Sequence, residues 1–174
     1  MPTDEALMLS YQRGSREAFE ELFARYRDPL FGFFRRRLES SERAEDLTQE
    51  TFLAVIRASS RYEPRASVRT YLYGIALKLL SAERRKHNRT EPATLSGGET
   101  DPDAALWVRQ ALKRLDPSER QILMLREYEQ LSYSEIAALL GIPVNTVRSR
   151  LFRSRMALKD FLEPVNIATA NHEA

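Results

Sequence analysis

Apolar residues recur along the first half of the chain at i, i+3, i+4 and i+7, the period of an amphipathic helix. Phe19, Leu22, Phe23, Tyr26, Leu30, Phe33, Phe34 and Leu38 form the first stripe, and Pro29 within it predicts a kink or a restart. A second stripe begins near Ser41 and holds Ala44, Leu47, Phe52, Val55 and Ile56. Glu42 and Glu45 lie in its first turn, where the helix dipole favours acids. A third follows Pro64, with a cap near Ser67 and Val68, Tyr71, Leu72, Ile75, Ala76 and Leu79 as its apolar side. Strand-like alternation is absent, so the pattern predicts an all-α fold.

The C-terminal part carries sharper punctuation. Asp101-Pro102 and Asp116-Pro117 each place a capping residue before a proline at the first helical position, and Glu119 follows the second cap by three residues. Ser132 and Glu135 form a capping box ahead of Ile136, Ala137 and Leu140. Gly141 supplies a tight turn, and Pro143 fixes the chain where Val144, Val147, Leu151 and Leu158 begin a new apolar seam. Two helices joined so closely, with the small Ala137 letting them approach, read as a helix-turn-helix. With Val147 and Leu151 turned inward, a rotation of about 100° per residue puts Asn145, Ser149, Phe152, Arg153 and Met156 outward, flanked by Thr146 and Arg148.

Charge then changes the picture. No acidic residue stands between Ile136 and Lys159, yet Arg148, Arg150, Arg153, Arg155 and Lys159 all fall there. Such a run suggests a polyphosphate partner. In a helix-turn-helix the second helix meets base edges: arginine pairs with guanine, serine and asparagine bond several edges, and an aromatic ring contacts a thymine methyl. A helical hairpin with a basic solvated face accounts for the same residues without DNA.

Residues 87–103, HNRTEPATLSGGETDPD, match neither period and read as a flexible, acidic linker. They carry one Lys/Arg against four Asp/Glu. Residues 1–86 carry 16 against 13, and residues 104–174 carry 10 against 8. The expected layout is a helical domain over 1–86, the linker, a small helix-turn-helix domain over 104–163 and a polar tail over 164–174. The net charge of +2 leaves nucleic-acid binding to local patches. There is no Cys, and His87 and His172 have no ligand spacing, so neither a metal site nor a cofactor is expected. No apolar run is long enough to span a membrane and the first residues are acidic, which predicts a cytoplasmic protein with no direct membrane insertion.

Three segments in order carry a family resemblance: DLTQETFLAV (Asp46–Val55), RYEPRASVRTYLYGIA (Arg61–Ala76) and the helix-turn-helix. Over about Leu9 to Leu162 the chain resembles the extracytoplasmic-function sigma factors of bacterial RNA polymerase. The resemblance implies two helical domains on a flexible linker, with core RNA polymerase and promoter DNA as partners. It implies that Asp46, Leu47, Gln49, Glu50 and Phe52 dock on the polymerase clamp helices. Asp46, Gln49 and Glu50 offer acceptors to arginine-rich partners, though a wet helix face reads the same way.

The resemblance places reading of the −10 element in the segment from Arg61 to Lys86. Aromatic rings beside cations suit single-stranded DNA, and Tyr62, Arg65, Ser67, Arg69, Thr70, Tyr73, Lys78, Arg84 and Arg85 are the candidates. Tyr71 fits the buried stripe instead. Family members often show Trp at Tyr71, Arg-Asn at Leu77-Lys78, Asp at Ala82 and Arg-Gly-Glu at Glu63-Pro64-Arg65, differences that bear on which bases are read. The resemblance likewise implies that Asn145, Thr146, Arg148, Ser149, Phe152 and Arg153 take the −35 element. The family also implies an anti-sigma factor that wedges between the two domains.

The competing reading is a stand-alone helix-turn-helix regulator, which predicts a dimer on a palindromic site. Nothing in the chain reads as an enzyme or calls for a small-molecule substrate: no Gly-rich phosphate loop, Ser/His/Asp set or metal cluster stands in the sequence.

Overall fold

The computed structural model describes residues 1–90 and 104–170, with side chains over 1–89 and 106–163. All regular structure among them is helical. The chain divides into two compact units, Met1–Gly98 and Glu99–Ala174. The first holds α1 (Asp4–Gln12), α2 (Arg16–Arg35), α3 (Ser41–Ala58), a 3-10 turn (Ser59–Arg61) and α4 (Val68–Thr90). The second holds α5 (Ala104–Arg114), α6 (Pro117–Glu127), α7 (Tyr133–Leu140) and α8 (Val144–Ala170).

Local chemistry explains the helix starts. Thr3, Ser15 and Ser40 cap α1, α2 and α3, each side-chain oxygen accepting from the backbone N–H three residues on at 3.1–3.2 Å. α1 was not expected, although Thr3 followed by Asp4 and Glu5 is a start signal of the same kind. α2 runs unbroken through Pro29, which lies on the exposed side and fits without displacing the core. His87–Thr90, expected to open the linker, instead complete α4. The rest of that segment, including Gly97-Gly98 and the Asp101-Pro102 cap, lies outside the described residues. The expected polar tail also changes: α8 continues through Pro164 to Ala170.

The core of the first unit is aromatic. Phe33 and Phe34 are fully buried with ring centroids 5.1 Å apart, and Tyr73 meets Phe33 edge-on at 5.5 Å. Met8, Leu22, Leu30, Leu47, Val55 and Leu72 fill the space around them. Arg37 covers the Phe33 ring with its guanidinium 4.0 Å from the centroid and donates to the Phe33 carbonyl at 2.9 Å. The side of α4 that faces this core is Val68, Leu72, Tyr73, Ala76 and Leu80. The expected stripe of Tyr71, Ile75 and Leu79 is only half-buried.

The second unit is built on aliphatic residues. Ile122, Leu125, Leu131, Ile136, Val147 and Leu151 are fully buried. The Ser132–Glu135 capping box forms in both directions, at 3.1 and 2.7 Å. Gly141 ends α7 in the left-handed region at φ 65°, a conformation that a residue with Cβ adopts at a cost. Asp116 caps α6 by accepting from the Ser118 N–H at 2.9 Å. The buried Ser154 hydroxyl sits 2.6 Å from the Arg150 carbonyl and 3.1 Å from that of Glu119, tying α8 to α6.

Candidate functional site

Three surfaces carry the chemistry expected from the sequence. The first is the outer face of α8. Asn145, Arg148, Ser149, Phe152, Arg153 and Met156 are exposed there at helical spacing, and Thr146 is half-buried beside them. Phe152 is 67% exposed, a large apolar side chain facing outward amid polar ones. Arg148 donates to the Asn145 side-chain oxygen at 3.4 Å, and the Ser149 hydroxyl donates to the Thr146 carbonyl at 3.1 Å. These contacts lie within one turn of the helix.

The cationic run is less open than the sequence suggests. Arg155 reaches across to Glu127 on α6 at 2.7 Å, and that carboxylate raises the Arg155 pKa further. Arg153 stands 3.7 Å from Glu119 on α6, and Lys159 stands 3.3 Å from Glu163 one turn later. The fold supplies from α6 acids that the run itself lacks. A polyphosphate partner is therefore required by fewer cations than the sequence implies, and these end with Arg153 still 63% exposed.

The second surface joins the Ser59–Ser67 segment to α4. Here the structure corrects two candidates. Tyr62 is 7% exposed, its hydroxyl donating to the Ala66 carbonyl at 3.1 Å and its ring 5.3 Å from that of Tyr71. Tyr73 is 2% exposed against Phe33. Neither ring is presented as a stacking platform in this structure. Burial raises the pKa of Tyr62 first, with Glu5 and Tyr71 adding to it. Tyr71, expected in the core, is the ring that reaches the surface, half-buried. The reason is geometric: residues 71 and 73 lie about 200° apart around a helix, so only one can face the core.

The remaining candidates divide by position. Arg65 is exposed beside Glu63 at 2.7 Å. Ser67 caps α4 by accepting from the Thr70 N–H at 3.1 Å, and its hydroxyl lies 2.8 Å from that of Thr70. Arg69 is half-buried, while Lys78, Arg84 and Arg85 line the exposed side of α4.

The third surface is on α3. Asp46 and Gln49 are exposed and Glu50 is half-buried, but Leu47 and Phe52 belong to the core. Phe52 packs on Phe23 with centroids 4.7 Å apart. Those two of the five expected docking residues are packed into the core of this unit and hold the helix in place. Sequence reasoning missed Leu53 and assigned Ile56 to the core; they are 47% and 43% exposed and extend the face of Asp46 and Gln49 by i, i+4 and i+7. Continuing the 46–49 register along α3 would have found both. Arg43 braces this face, donating to both Glu83 oxygens of α4 at 2.7 and 2.8 Å and lying 3.4 Å from Asp46. The guanidinium holds the Glu83 carboxyl below its usual range.

Comparison with known proteins gives each unit a counterpart. Residues 22–90 match the model of Sigma-70 region 2, and residues 105–158 match that of Sigma-70, region 4. The RNA polymerase sigma factor CarQ of Myxococcus xanthus is 32% identical over 173 residues, covering 94% of this chain and 99% of that protein. The ECF RNA polymerase sigma-E factor of Salmonella typhimurium is 30% identical over 184 residues, covering 94% and 96%. Among solved structures, CnrH in complex with the cytosolic domain of CnrY superposes with a TM-score of 0.71 at 26% identity, over 92% of this chain and 97% of that one. RpoE of Bartonella quintana, solved with the anti-sigma factor NepR, shares the fold with a TM-score of 0.68 at 21% identity, over 83% and 96%.

The chain belongs to the sigma-70 family, as a sigma factor of the extracytoplasmic-function type. It binds core RNA polymerase and directs promoter-specific transcription initiation. The stand-alone regulator leaves the region 2 match over α2 to α4 without a role.

Proposed function

We propose that the three surfaces divide the work of initiation. The α3 face of Asp46, Gln49 and Glu50, continued by Leu53 and Ile56, docks on core polymerase. Polar acceptors beside two exposed aliphatic side chains suit a helical partner rich in arginine. The exposed tip Glu63–Ala66 and the cations of α4 take the −10 element as single strand, with Arg65, Lys78, Arg84 and Arg85 following the backbone and Tyr71 in place of Tyr62 and Tyr73 as the accessible ring. The α8 face of Asn145, Thr146, Arg148, Ser149, Phe152 and Arg153 takes the −35 element in the major groove.

The single observation behind this reading is that α8 presents those residues as one exposed face of a helix-turn-helix, in a chain whose other unit matches region 2. The protein acts as a specificity factor without catalysis of its own, in the cytoplasm; no described helix is long and apolar enough to cross a membrane. An anti-sigma factor of the kind solved with RpoE is a further partner in this reading.

In vitro transcription with core polymerase across a promoter library tests the reading. A discrete set of promoters sharing two elements at one spacing is expected; no specific transcript from any template overturns it. Replacing Gln49 and Glu50 together with alanine is expected to weaken core binding while shifting fold stability by no more than about 1 kcal/mol, since Gln49 is exposed and the half-buried Glu50 stands 3.5 Å from Arg43 in a partly solvated pair. Unchanged core affinity in a binding titration would move the docking face elsewhere.

A further inference from the structure

Helix α1 touches the −10 segment at both of its ends, a role that neither its sequence nor the family match over residues 22–90 assigns to it. The Gln12 side-chain amide donates to the Ser59 carbonyl at 2.6 Å and to the Tyr62 carbonyl at 2.8 Å, 47 and 50 residues away in sequence. Both of its N–H groups are thus spent on the backbone that leaves α3. Seven residues earlier in α1, Glu5 Oε1 accepts from the Val68 N–H at 3.0 Å. That N–H is the first of α4, one of the four that a helix start leaves without an internal partner. Ser67 already serves the Thr70 N–H, so α4 has two caps, one of them supplied by another helix.

Between these two ties the chain holds itself by short-range contacts, the Arg65 N–H donating to the Glu63 carbonyl at 2.7 Å and the Arg65 guanidinium pairing with the Glu63 carboxylate at 2.7 Å. Glu63, Pro64, Arg65 and Ala66 are all exposed, and the 3-10 turn before them is three residues long. Tyr62 stakes the middle through its buried ring and its hydroxyl bond to Ala66. α1 is itself anchored: Met8 is fully buried, Asp4 pairs with Arg25 at 2.7 Å, and the Tyr26 hydroxyl donates to the other Asp4 oxygen. A stiff element therefore grips the loop at Ser59, Tyr62 and Val68 and leaves only its tip free.

We propose that α1 is a brace that presets the −10-reading loop, with Gln12 and Glu5 as positioning residues for strand recognition. This rests on the assignment of the −10 element to Arg61–Lys86. A loop that must capture an unpaired strand binds best when its shape exists beforehand, because each residue ordered on binding weakens the complex. Gln12 and Glu5 touch no DNA in this scheme; they act through the carbonyls and the N–H that shape the tip.

The test uses full-length protein with core polymerase. Gln12→Glu keeps the side-chain size but removes both donors and sets a carboxylate against two carbonyl oxygens. Glu5→Ala removes the second cap of α4, and Glu5→Gln keeps an acceptor in place. Open-complex formation on a duplex promoter, read by a fluorescent base in the −10 element, is expected to fall about tenfold in Gln12→Glu and about threefold in Glu5→Ala, the scale of one lost hydrogen bond or an unfavourable replacement. Glu5→Gln is expected within about twofold of wild type, and core affinity within about twofold throughout, given that the docking face is on α3. The −10 base preference, measured with a substitution series on a template already unpaired across that element, is expected to blur in Gln12→Glu and in Glu5→Ala.

Base preference separates a brace from plain scaffolding. Loss of thermal stability together with activity, at unchanged base preference, overturns the proposal; so do wild-type opening and preference in both variants. Should the wild-type factor itself open no promoter in a −10-dependent manner, the underlying assignment fails and the brace with it.

Discussion

The two units solve the same problem with different materials. The C-terminal unit is held by aliphatic side chains and by many contacts close in sequence: the Ser132–Glu135 box, the Asp116 cap and the Gly141 turn each span a few residues, and its longer ties, Ser154 to Glu119 and Arg155 to Glu127, reach 35 and 28 residues. The N-terminal unit is held by an aromatic cluster and by bonds of long reach, among them Gln12 to Ser59, Glu5 to Val68 and Arg43 to Glu83, 40 to 63 residues apart. The comparison teaches that the first kind of unit presents a rigid helix face, while the second fixes a loop whose own sequence would leave it loose. Duplex DNA is read by the former and a melted strand by the latter in the proposed scheme.

The largest effects should come from the cores. Phe33→Ala is expected to remove about 3–5 kcal/mol from the first unit, and Leu151→Ala about 2–5 kcal/mol from the second. Small domains have little to spare, so Leu151→Ala should unfold the C-terminal unit while the helices of the first remain. Chemical denaturation followed at the lone Trp107 on α5 and by total helicity separates the two. A single joint transition in the Leu151 variant would mean that the units do not behave as independent bodies.

Next in size is base recognition by the helix face. Arg148→Ala is expected to cost about 1–3 kcal/mol of discrimination at one base pair if it reads an edge. Arg153, 3.7 Å from Glu119, should matter less for sequence and more for the salt dependence of binding. Initiation from a set of −35 variants at two salt concentrations measures both. Equal behaviour of the two arginines would break the ranking that the α6 carboxylate imposes.

The long-range bonds of the N-terminal unit carry their own signature in pH. Glu83 has its pKa lowered in the folded state, chiefly by the Arg43 hydrogen bonds. Its contribution is therefore complete above the usual value of 4.5 and is lost as the pH falls below that through the folded pKa. Glu83→Gln should cost about 1–2 kcal/mol at neutral pH and flatten the acid limb of stability for this unit. An acid limb identical to wild type would show that the α3–α4 tie adds nothing.

The smallest effect sharpens the picture of the C-terminal unit. Gln130 is the one non-glycine described with positive φ, at 55°, just after α6. Gln130→Gly should raise thermal stability by about 0.5 kcal/mol, since glycine adopts that conformation without a Cβ clash. A decrease would mean that side-chain contacts of Gln130 outweigh the strain.

Much of the helix-turn-helix was legible beforehand. The outward order of Asn145, Ser149, Phe152, Arg153 and Met156 follows from Val147 and Leu151 facing in, and the structure exposes all five. The cap of α6 and the turn at Gly141 were legible for the same reason: donor, acceptor and turn residue lie within a few positions of one another. On α3 the apolar stripe already held Leu47 and Phe52, where the structure buries them, while the resemblance also set them in the docking face, because an apolar residue inside a motif reads alike whether it meets a partner or the core.

Residue order by itself thus determined the helical class, most helix starts and the exposed face of α8, all products of spacing and of bonds within a turn or two. Only the tertiary structure decided which ring of α4 turns inward, where Tyr73 meets Phe33 and leaves Tyr71 outside. It alone matched Arg155 and Arg153 with acids on α6, and brought Glu5 and Gln12 of an unforeseen helix to the segment between α3 and α4. Two overlapping apolar stripes on one helix are equivalent until a neighbour packs on one of them. A charge or an amide shows no partner in sequence when that partner lies tens of residues away.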